Sequence, residues 1–455
     1  MEFETLWERL KQKAREKMPD HLHRLNFTRD ERIEYQQKAL ARLLVYVKKH
    51  TPYYQESLKE INVENFKLAD MGTLPETTKQ DTLLHWNNFV SEGVVTKAQA
   101  EQHLQALRDD PTVNPFYKEK YFIFATGGSS GKRGLFIWSD DDFADVICFF
   151  HRYMVRDNQR LGKSCKKVSV VVSPSWLHMS QPVNIFNFDP STLVQYISAD
   201  LSAKEMVERL EDFQPDLLMG FSTLIAELAH LATCGQLNIK PNRVCTHSEP
   251  LLDDDRQVIR EAWQVEVNNL WGSTEVGVTG FEDDEHLGLW IAEDCCLIEA
   301  VDEDLQPVSQ PQETKNLLVT TLINYTFPLI RYVLDDAVPI EELEDRGFRL
   351  AKHITGRADR WFVYSDNVKV HPIAFRHVLG QDKNIQEYQV KQTKQGAEVA
   401  LVTEGEVSLK AMEQALKQEL VQAGLVQPEV VVRRVTKLER HAETGKRKRF
   451  IPLEV

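Results

Sequence analysis

A glycine-rich segment contains residue types that readily bind phosphate groups. It reads Thr126-Gly127-Gly128-Ser129-Ser130-Gly131-Lys132 and joins two apolar runs, 121–125 and 135–138, that predict strands. Glycines let a backbone approach a ligand closely, hydroxyls donate to phosphate oxygens, and lysine adds positive charge. A Walker A loop has a longer glycine spacing and a following helix, whereas only three residues separate Gly127 from Gly131. Phosphate binding and an unliganded hairpin loop are the two interpretations.

The segments around this loop predict an α/β fold. Strand and helix patterns alternate over 168–270, which is typical of a parallel, doubly wound sheet. The helical pattern disappears over 287–363, where apolar runs at 317–323, 329–334 and 348–354 predict an antiparallel β unit. The last part of the chain predicts a compact α+β domain, with a hairpin, a helix and a strand at 387–403, 409–423 and 429–438.

We therefore expect a large N-terminal domain, residues 1–356, with doubly wound sheets and a β subdomain. A small mobile α+β domain, residues 357–455, is expected to follow it. The chain of 455 residues supports this division, because it is too long for one ordinary core.

Charge and cysteine usage exclude several classes of protein. The net charge is −14, which argues against general binding to nucleic acid or to an anionic membrane. Six cysteines without a CxxC pair indicate neither a disulfide framework nor a zinc site. The N-terminus lacks the basic and apolar regions of a signal peptide, and the longest apolar runs are strand-sized. We expect a cytoplasmic protein without a membrane span.

Five further segments follow the loop in an order that matches a known family. They read Thr246-His247-Ser248-Glu249-Pro250, Asn269-Leu270-Trp271-Gly272-Ser273-Thr274-Glu275, Pro328-Leu329-Ile330-Arg331-Tyr332 with Asp335-Asp336 after it, Thr355-Gly356-Arg357-Ala358-Asp359, and Thr444-Gly445-Lys446. With the loop, this set resembles the adenylate-forming (acyl-CoA synthetase, AMP-binding) superfamily over most of the chain. The runs 50–54, 74–79 and 246–250 resemble its phenylacetate–CoA ligase branch.

The resemblance implies an ATP site. Thr126, Gly127, Gly128, Ser129, Ser130, Gly131 and Lys132 would close over the β- and γ-phosphates of ATP. Ser248, Glu249, Pro250 and Asn269 would line the adenine, and Trp271, where the family usually has tyrosine, would stack on it beside Gly272 and Ser273. A core tryptophan is the other interpretation of Trp271, and a turn residue is that of Asn269. Thr274 would donate to the α-phosphate, and Glu275 would hold Mg²⁺. Asp336 would accept the ribose hydroxyls, and Arg357 would reach the ribose or a phosphate.

The same resemblance gives the C-terminal domain a role. Lys446 would bridge the substrate carboxylate and the α-phosphate, and Asp359 would be the hinge about which the domain rotates between two reaction steps. Lys446 lies in a basic stretch that includes Arg447, Lys448 and Arg449. A solvated basic tail is the other interpretation of that stretch.

The acyl pocket carries the weakest sequence signal. The resemblance assigns it to residues near His178, Phe221 and His247. Aromatic residues at 176, 186 and 188 allow an aryl or medium-length acyl acid, and they are equally consistent with core packing.

Three functions follow from this pattern. The first is ATP-dependent activation of a small carboxylic acid with pyrophosphate release, followed by transfer to a thiol, with CoA as the first candidate. The second transfers the acyl group to a carrier protein or an amine, because Asp366-Asn367 stand where the family often has Arg-Gly. The third is a non-catalytic nucleotide-binding protein. The sequence determines neither the acid nor the oligomeric state, for which a homodimer is one option.

Overall fold

The structure is a computed structural model, and it describes the chain except residues 92, 127–133, 162–164, 173–174, 190, 200, 286, 309–310, 312–313, 345, 353, 355–361, 366–367, 371–372, 380–381, 383, 439–448 and 454–455. No helix in the described ranges is long and apolar enough to cross a bilayer. The α-helices are α1 (Phe3–Arg24), α2 (Arg29–His50), α3 (Pro52–Ser57), α4 (Lys79–Leu84), α5 (Trp86–Phe89), α6 (Lys97–Asp109), α7 (Asp140–Leu161), α8 (Ser180–Asn184), α9 (Ala203–Phe213), α10 (Ser222–Thr233), α11 (Asp253–Trp263), α12 (Ile373–Leu379) and α13 (Leu409–Gln422).

The strands form five sheets among the described residues. They are β1 (Tyr121–Ala125), β2 (Leu135–Ser139), β3 (Lys167–Val172), β4 (Leu193–Ser198), β5 (Leu217–Phe221), β6 (Arg243–His247), β7 (Val267–Ser273), β8 (Gly277–Glu282), β9 (Leu289–Ile291), β10 (Cys296–Val301), β11 (Asn316–Thr321), β12 (Tyr332–Leu334), β13 (Ile340–Glu341), β14 (Leu350–Ala351), β15 (Phe362–Val363), β16 (Lys369–Val370), β17 (Ile385–Gln392), β18 (Gly396–Thr403), β19 (Glu429–Arg434) and β20 (Phe450–Ile451).

A nine-stranded sheet forms the centre of the N-terminal part, in the order β13-β14-β9-β8-β7-β6-β5-β3-β4. Strands β4, β3, β5, β6 and β7 are parallel, and β8 turns the sheet antiparallel. The inner strands β5, β6 and β7 are buried over most of their length. Helices α10 and α11 pack against the sheet through residues such as Leu228 and Ile259. The predicted doubly wound sheet is confirmed.

The register brings the carboxyl ends of three strands to one edge of this sheet. Phe221 of β5 lies opposite His247 of β6, and His247 lies opposite Leu270 of β7. Ligands of open α/β sheets bind outside the carboxyl ends of the strands. This edge is therefore where a site is expected.

An antiparallel β unit forms as predicted, but one of its three predicted strands belongs to a different sheet. Strands β10, β11 and β12 form a three-stranded antiparallel sheet, but β14 pairs with β9 and extends the large sheet instead. The predicted strand 329–334 begins only at Tyr332, because Arg331 has a left-handed φ of 45° that ends any regular pairing before it. The Arg331 guanidinium is buried and donates to the Leu74 carbonyl and to Glu76.

The N-terminal helices α1 and α2 pack into the main hydrophobic core. Leu6, Leu10 and Ala14 recur at helical spacing on α1, are fully buried, and pack in the main core as α1 lies against α7. Helix α2 begins at a capping box in which the Thr28 side chain accepts from the Glu31 backbone and the Glu31 carboxylate accepts from Thr28.

The C-terminal unit, by which we mean the described residues from 362 to 453, is α+β as predicted. Its four-stranded sheet has the order β19-β18-β17-β20, and α13 packs on it through Leu416 and Leu420. The unit contacts α10 and α11 of the large part of the chain, where Arg449 forms a bidentate ion pair with Asp255. The predicted boundary between 356 and 357 lies outside the described residues and stays a prediction.

Candidate functional site

The glycine-rich loop is closed at its base by Thr126. The Thr126 backbone N–H donates to the Gly134 carbonyl at 2.9 Å, and the Gly134 N–H donates to Thr126 Oγ1 at 3.0 Å. A Cβ on Gly134 would lie 2.8 Å from the buried Phe136 ring, so a side chain here would have to displace that ring. Strands β1 and β2 pair in register on either side. Gly127, Gly128, Ser129, Ser130, Gly131 and Lys132 themselves lie outside the described residues.

The end of β6 turns sharply toward α10. Ser248 has a left-handed φ of 66°, and its hydroxyl lies 3.0 Å from Nδ1 of His247. Glu249 Oε2 accepts from the backbone N–H of Thr223 at 3.0 Å and from its hydroxyl at 2.7 Å. The Glu249 carboxylate therefore caps α10, where the orphan N–H groups and the helix dipole favour a negative charge. Pro250 follows at the same strand end.

The β7–β8 connection is a tight hairpin that presents Thr274 and Glu275. A Cβ on Gly272 would lie 2.7 Å from the Gly277 carbonyl oxygen, so a side chain there would force the hairpin apart. Ser273 Oγ accepts from the Val276 N–H at 3.3 Å within the turn. Thr274 and Glu275 are both buried, at 8% and 7% exposure. Their placement follows from the close approach that glycine permits.

Two of the predicted site residues on β7 make side-chain hydrogen bonds. Asn269 Oδ1 accepts from the Thr246 hydroxyl at 3.1 Å across the β6–β7 pair. The Trp271 indole N–H donates to Asp336 Oδ2 at 3.1 Å, and both side chains are buried. Asp336 follows β12, so this hydrogen bond joins the three-stranded sheet to the nine-stranded one. Its neighbour Asp335 is exposed.

Glu275 suits a magnesium ion by its donor chemistry. Mg²⁺ prefers carboxylate and phosphate oxygens and retains several waters. Within the described part of the chain, no arginine, lysine or hydrogen-bond donor occupies the Glu275 carboxylate. Among the described residues the buried Glu275 carboxylate thus has no protein partner, and the residues present fit the ion.

The region expected to form the acyl pocket divides into two parts. The His247 ring meets the Phe221 ring edge-on at 5.7 Å, and Phe150 of α7 lies 6.4 Å from it, all three being buried. Trp176 and Phe186 instead pack against Trp7 of α1, at 6.2 and 6.0 Å. The core-packing interpretation therefore holds for those two aromatic residues.

His178 has a local structural contact. Its Nδ1 accepts from the Ser180 N–H at 3.2 Å and lies 2.7 Å from the Ser180 hydroxyl, next to the start of α8. Its exposure is 7%. A substrate contact for His178 stays a prediction.

The structure also contains residues that the motif pattern missed. Thr223 positions Glu249, and the only sequence signal for it is a Ser-Thr pair directly after an apolar strand. Asp255 and Arg449 pair across the boundary between the C-terminal unit and α11, at 3.0 and 3.1 Å. The two residues are 194 positions apart, so no local pattern could have paired them.

Three predicted site residues, Arg357, Asp359 and Lys446, lie outside the described residues.

A second group of metal-type donors has a structural explanation. Ligand atoms of His21, Asp294 and Cys295 lie within 4.8 Å of one another in the core. Asp294 is already paired with Arg24 and Arg152, at 3.1 and 2.9 Å. Burial, together with the charges of the two arginines, lowers the pKa of His21 to about 4, although Asp145 opposes this shift. Two fixed cations make this a poor place for a metal ion.

Comparisons with known proteins were made for the sequence and for the fold. No family model matches the sequence. Protein CapK of Staphylococcus aureus is 24% identical over 318 residues, which is 68% of this chain and 63% of CapK, so the match spans less than two thirds of that relative.

Solved structures match over nearly the whole chain. A 2-hydroxyisobutyryl-CoA ligase in its postadenylation state aligns with a TM-score of 0.71 and 17% identity, covering 94% of this chain and 91% of that one. The same ligase in its thioesterification state gives 0.59 and 18% identity over 94% and 91%. ATP-bound MatB from Rhodopseudomonas palustris gives 0.51 and 15% identity over 73% and 67%.

These likenesses define the class of fold: the chain has the fold of the acyl-CoA ligases that form acyl-adenylates. The resemblance to adenylate-forming enzymes is confirmed at this level. The assignment to the phenylacetate–CoA ligase branch stays a prediction.

Proposed function

We propose that this protein uses ATP to activate a small carboxylic acid as an acyl-adenylate and then transfers the acyl group to a thiol, with CoA as the acceptor. The observation that carries the proposal is the grouping of polar and charged residues at one edge of the large sheet. The β6 end, the β7–β8 hairpin and Asp336 meet there. The fold of known acyl-CoA ligases supports the same reaction class.

The nucleotide is proposed to lie along this edge. Asn269 and the 248–250 turn would border the adenine, with the Glu249 side chain committed to α10 and the backbone facing the ring. Asp336 would accept the ribose hydroxyls, a task suited to an ionised carboxylate. The 126–132 loop, whose base Thr126 holds closed, would bind the β- and γ-phosphates.

In the first step, an oxygen of the substrate carboxylate would attack the α-phosphorus of ATP. The bond from that phosphorus to the bridging oxygen would break, and pyrophosphate would leave. Charge accumulates on the transferring phosphoryl group, so catalysis depends on positioning and electrostatics. The Thr274 hydroxyl would donate to an α-phosphate oxygen from its place in the tight hairpin.

Three further charged residues complete the proposed site. Glu275 would hold a magnesium ion, which when bound neutralises phosphate charge. Lys446 would bring its ammonium group to the substrate carboxylate and the α-phosphate, with Arg357 near the ribose or a phosphate. Arg449, three residues after Lys446 in sequence, is held on α11 by Asp255, and this anchors the following strand β20 close to the large part of the chain.

In the second step, the thiol sulfur would attack the acyl carbonyl and AMP would leave, with the thiol proton passing to solvent or phosphate. We propose Asp359 as the hinge for a rotation of the C-terminal unit between the two steps. The acid would enter beside Phe221 and His247, and an aryl or medium-length acyl group suits their buried rings.

The test is pyrophosphate release with a panel of carboxylic acids, with and without CoA, with MgCl₂ present. Release that depends on one acid, with acyl-CoA as product, supports the proposal. Release without acyl-CoA would redirect the second step to a carrier protein or an amine. No release with any acid, although ATP binds, would favour a non-catalytic nucleotide-binding protein.

A further inference from the structure

The indole of Trp271 has a partner that adenine stacking does not require. Its N–H donates to Asp336 Oδ2 at 3.1 Å, between two residues 65 positions apart. Trp271 and Asp336 are 5% and 6% exposed. A hydrogen bond to a charged acceptor in a buried place is stronger than a neutral one, and the loss of either partner is costly.

The sheet makes room for this indole. Trp271 pairs in register with Gly280 of β8, next to an irregularity between Trp271 and Gly272. A Cβ on Gly280 would lie 3.2 Å from Cε3 of Trp271, which is tighter than ordinary packing. The glycine therefore allows the ring to lie against the neighbouring strand, with its N–H directed across to the other sheet.

We propose that Trp271 is a positioning residue that orients the Asp336 carboxylate for the nucleotide ribose. This inference rests on the proposed function, because it takes Asp336 as the ribose ligand. A carboxylate rotates freely about its terminal torsion in solution. The indole N–H holds one oxygen of Asp336 in place, and this determines where the carboxylate can accept ribose hydroxyls.

The test compares ATP with 2′,3′-dideoxy-ATP, which has the same adenine and phosphates and lacks the ribose hydroxyls. Dissociation constants are measured by calorimetry for the full-length wild type and for Trp271→Phe. Phenylalanine keeps an aromatic face and removes the N–H donor. We expect ATP to bind the variant about 10- to 100-fold more weakly, and dideoxy-ATP to bind both proteins equally within about threefold.

Trp290→Phe is the matched control. Trp290 lies on β9 of the same sheet and is 5% exposed, and its indole N–H has no acceptor among the described residues. It should leave both dissociation constants unchanged. If Trp271→Phe does not fold by circular dichroism, benzothienylalanine at position 271 replaces only the N–H by sulfur and preserves the ring shape.

The outcomes separate the inference from the proposed function. If the wild type binds ATP and dideoxy-ATP equally, the ribose role of Asp336 fails and the proposed function is weakened. If the wild type prefers ATP and the Trp271 variant keeps that preference, Trp271 does not position Asp336. Equal weakening of both nucleotides would assign Trp271 to stacking or to general packing and would also overturn the inference.

Discussion

The ion pair between Asp255 and Arg449 offers a test of how the C-terminal unit is held. Asp255 lies on α11, and both of its oxygens accept from Arg449, at 3.0 and 3.1 Å. The two side chains are 8% and 13% exposed, and the Arg449 guanidinium lies 5.0 Å from the Tyr388 ring. Burial acts to lower the pKa of Arg449, but the Asp255 charge raises it more, so the net shift is upward.

Asp255→Asn keeps the shape of the side chain and removes its charge. If the interface stayed closed, a buried arginine without its counter-ion would cost about 3–5 kcal/mol. Separation of the C-terminal unit would return Arg449 to water. The measured loss of free energy for the closed form is therefore limited to the contribution of the charged hydrogen bonds, about 1.5–3 kcal/mol. The equilibrium between closed and separated forms should shift by about 10- to 150-fold.

Cys234 reports on the same interface without any substrate. Its thiol lies 3.1 Å from Glu404 Oε2 of the C-terminal unit, and this contact raises the pKa of the exposed Cys234, with a smaller contribution from burial. The thiolate is the reactive form. Separation of the unit would lower the pKa of Cys234, so iodoacetamide should react faster and with a lower pH midpoint in Asp255→Asn.

Three controls make this assay specific. Cys234→Ser identifies the labelled thiol, and Glu404→Gln should accelerate labelling even with the ion pair intact. Arg260 lies on the same helix and forms an exposed ion pair with Glu266, with side-chain exposures of 54% and 45%. Arg260→Gln should leave the labelling rate and its pH midpoint unchanged, because exposed ion pairs contribute little. If Glu404→Gln accelerates labelling and Asp255→Asn leaves both rate and midpoint at wild-type values, the ion pair does not hold the unit.

Three further predictions concern the site and the pH dependence of stability. Lys446→Ala should slow acyl-adenylate formation by orders of magnitude and hardly change the dissociation constant of ATP, since its contacts are proposed for the transition state; near-normal single-turnover rates would contradict this. Gly272→Ala should reduce pyrophosphate release at least tenfold, because its Cβ would lie 2.7 Å from a backbone oxygen of the hairpin that carries Glu275. Gly235→Ala is the control, because a Cβ there would lie in open space and the φ of 72° predicts a loss of stability without a loss of pyrophosphate release. Burial raises the pKa of Asp142 to about 6, so between pH 4 and 6 the native state binds more protons than the unfolded chain and loses stability as the pH rises. Asp142→Asn should therefore be more stable than the wild type by about 1–3 kcal/mol at pH 8. Urea unfolding should show that this gain disappears near pH 4.

Local patterns predicted the alternating strands and helices of the large sheet, whereas the long helices α1 and α7 were not predicted. The helix Asp253–Trp263 lies within the predicted alternation of strands and helices over 168–270, and acidic residues occupy its first turn, where the helix dipole favours negative charge. The strand expected at 329–334 was shortened by the left-handed backbone of Arg331, whose guanidinium is held by Glu76, 255 residues away. The run near 350 joined the large sheet through pairing with β9, and no local pattern specifies a strand's partner.

For the candidate site too, local motifs were predicted from the sequence, whereas contacts between distant residues were not. Gly272, Thr274 and Glu275 belong to one contiguous motif, so their grouping was visible in the sequence, whereas the hairpin that carries them was not predicted. The uses of Glu249 and Trp271 were not visible, because their partners Thr223 and Asp336 come from other elements.

The sequence by itself determined the class of fold, the order of the motifs and the residue types that could bind a nucleotide, because helical and strand periodicities and glycine-rich turns are local properties of the chain. The tertiary structure decided which of those side chains meet. Only folding could bring the Trp271 N–H to Asp336, the Glu249 carboxylate to α10 and Arg449 to Asp255. Hydrogen bonds and ion pairs act over a few ångströms, and their partners here are tens to hundreds of residues apart in the chain.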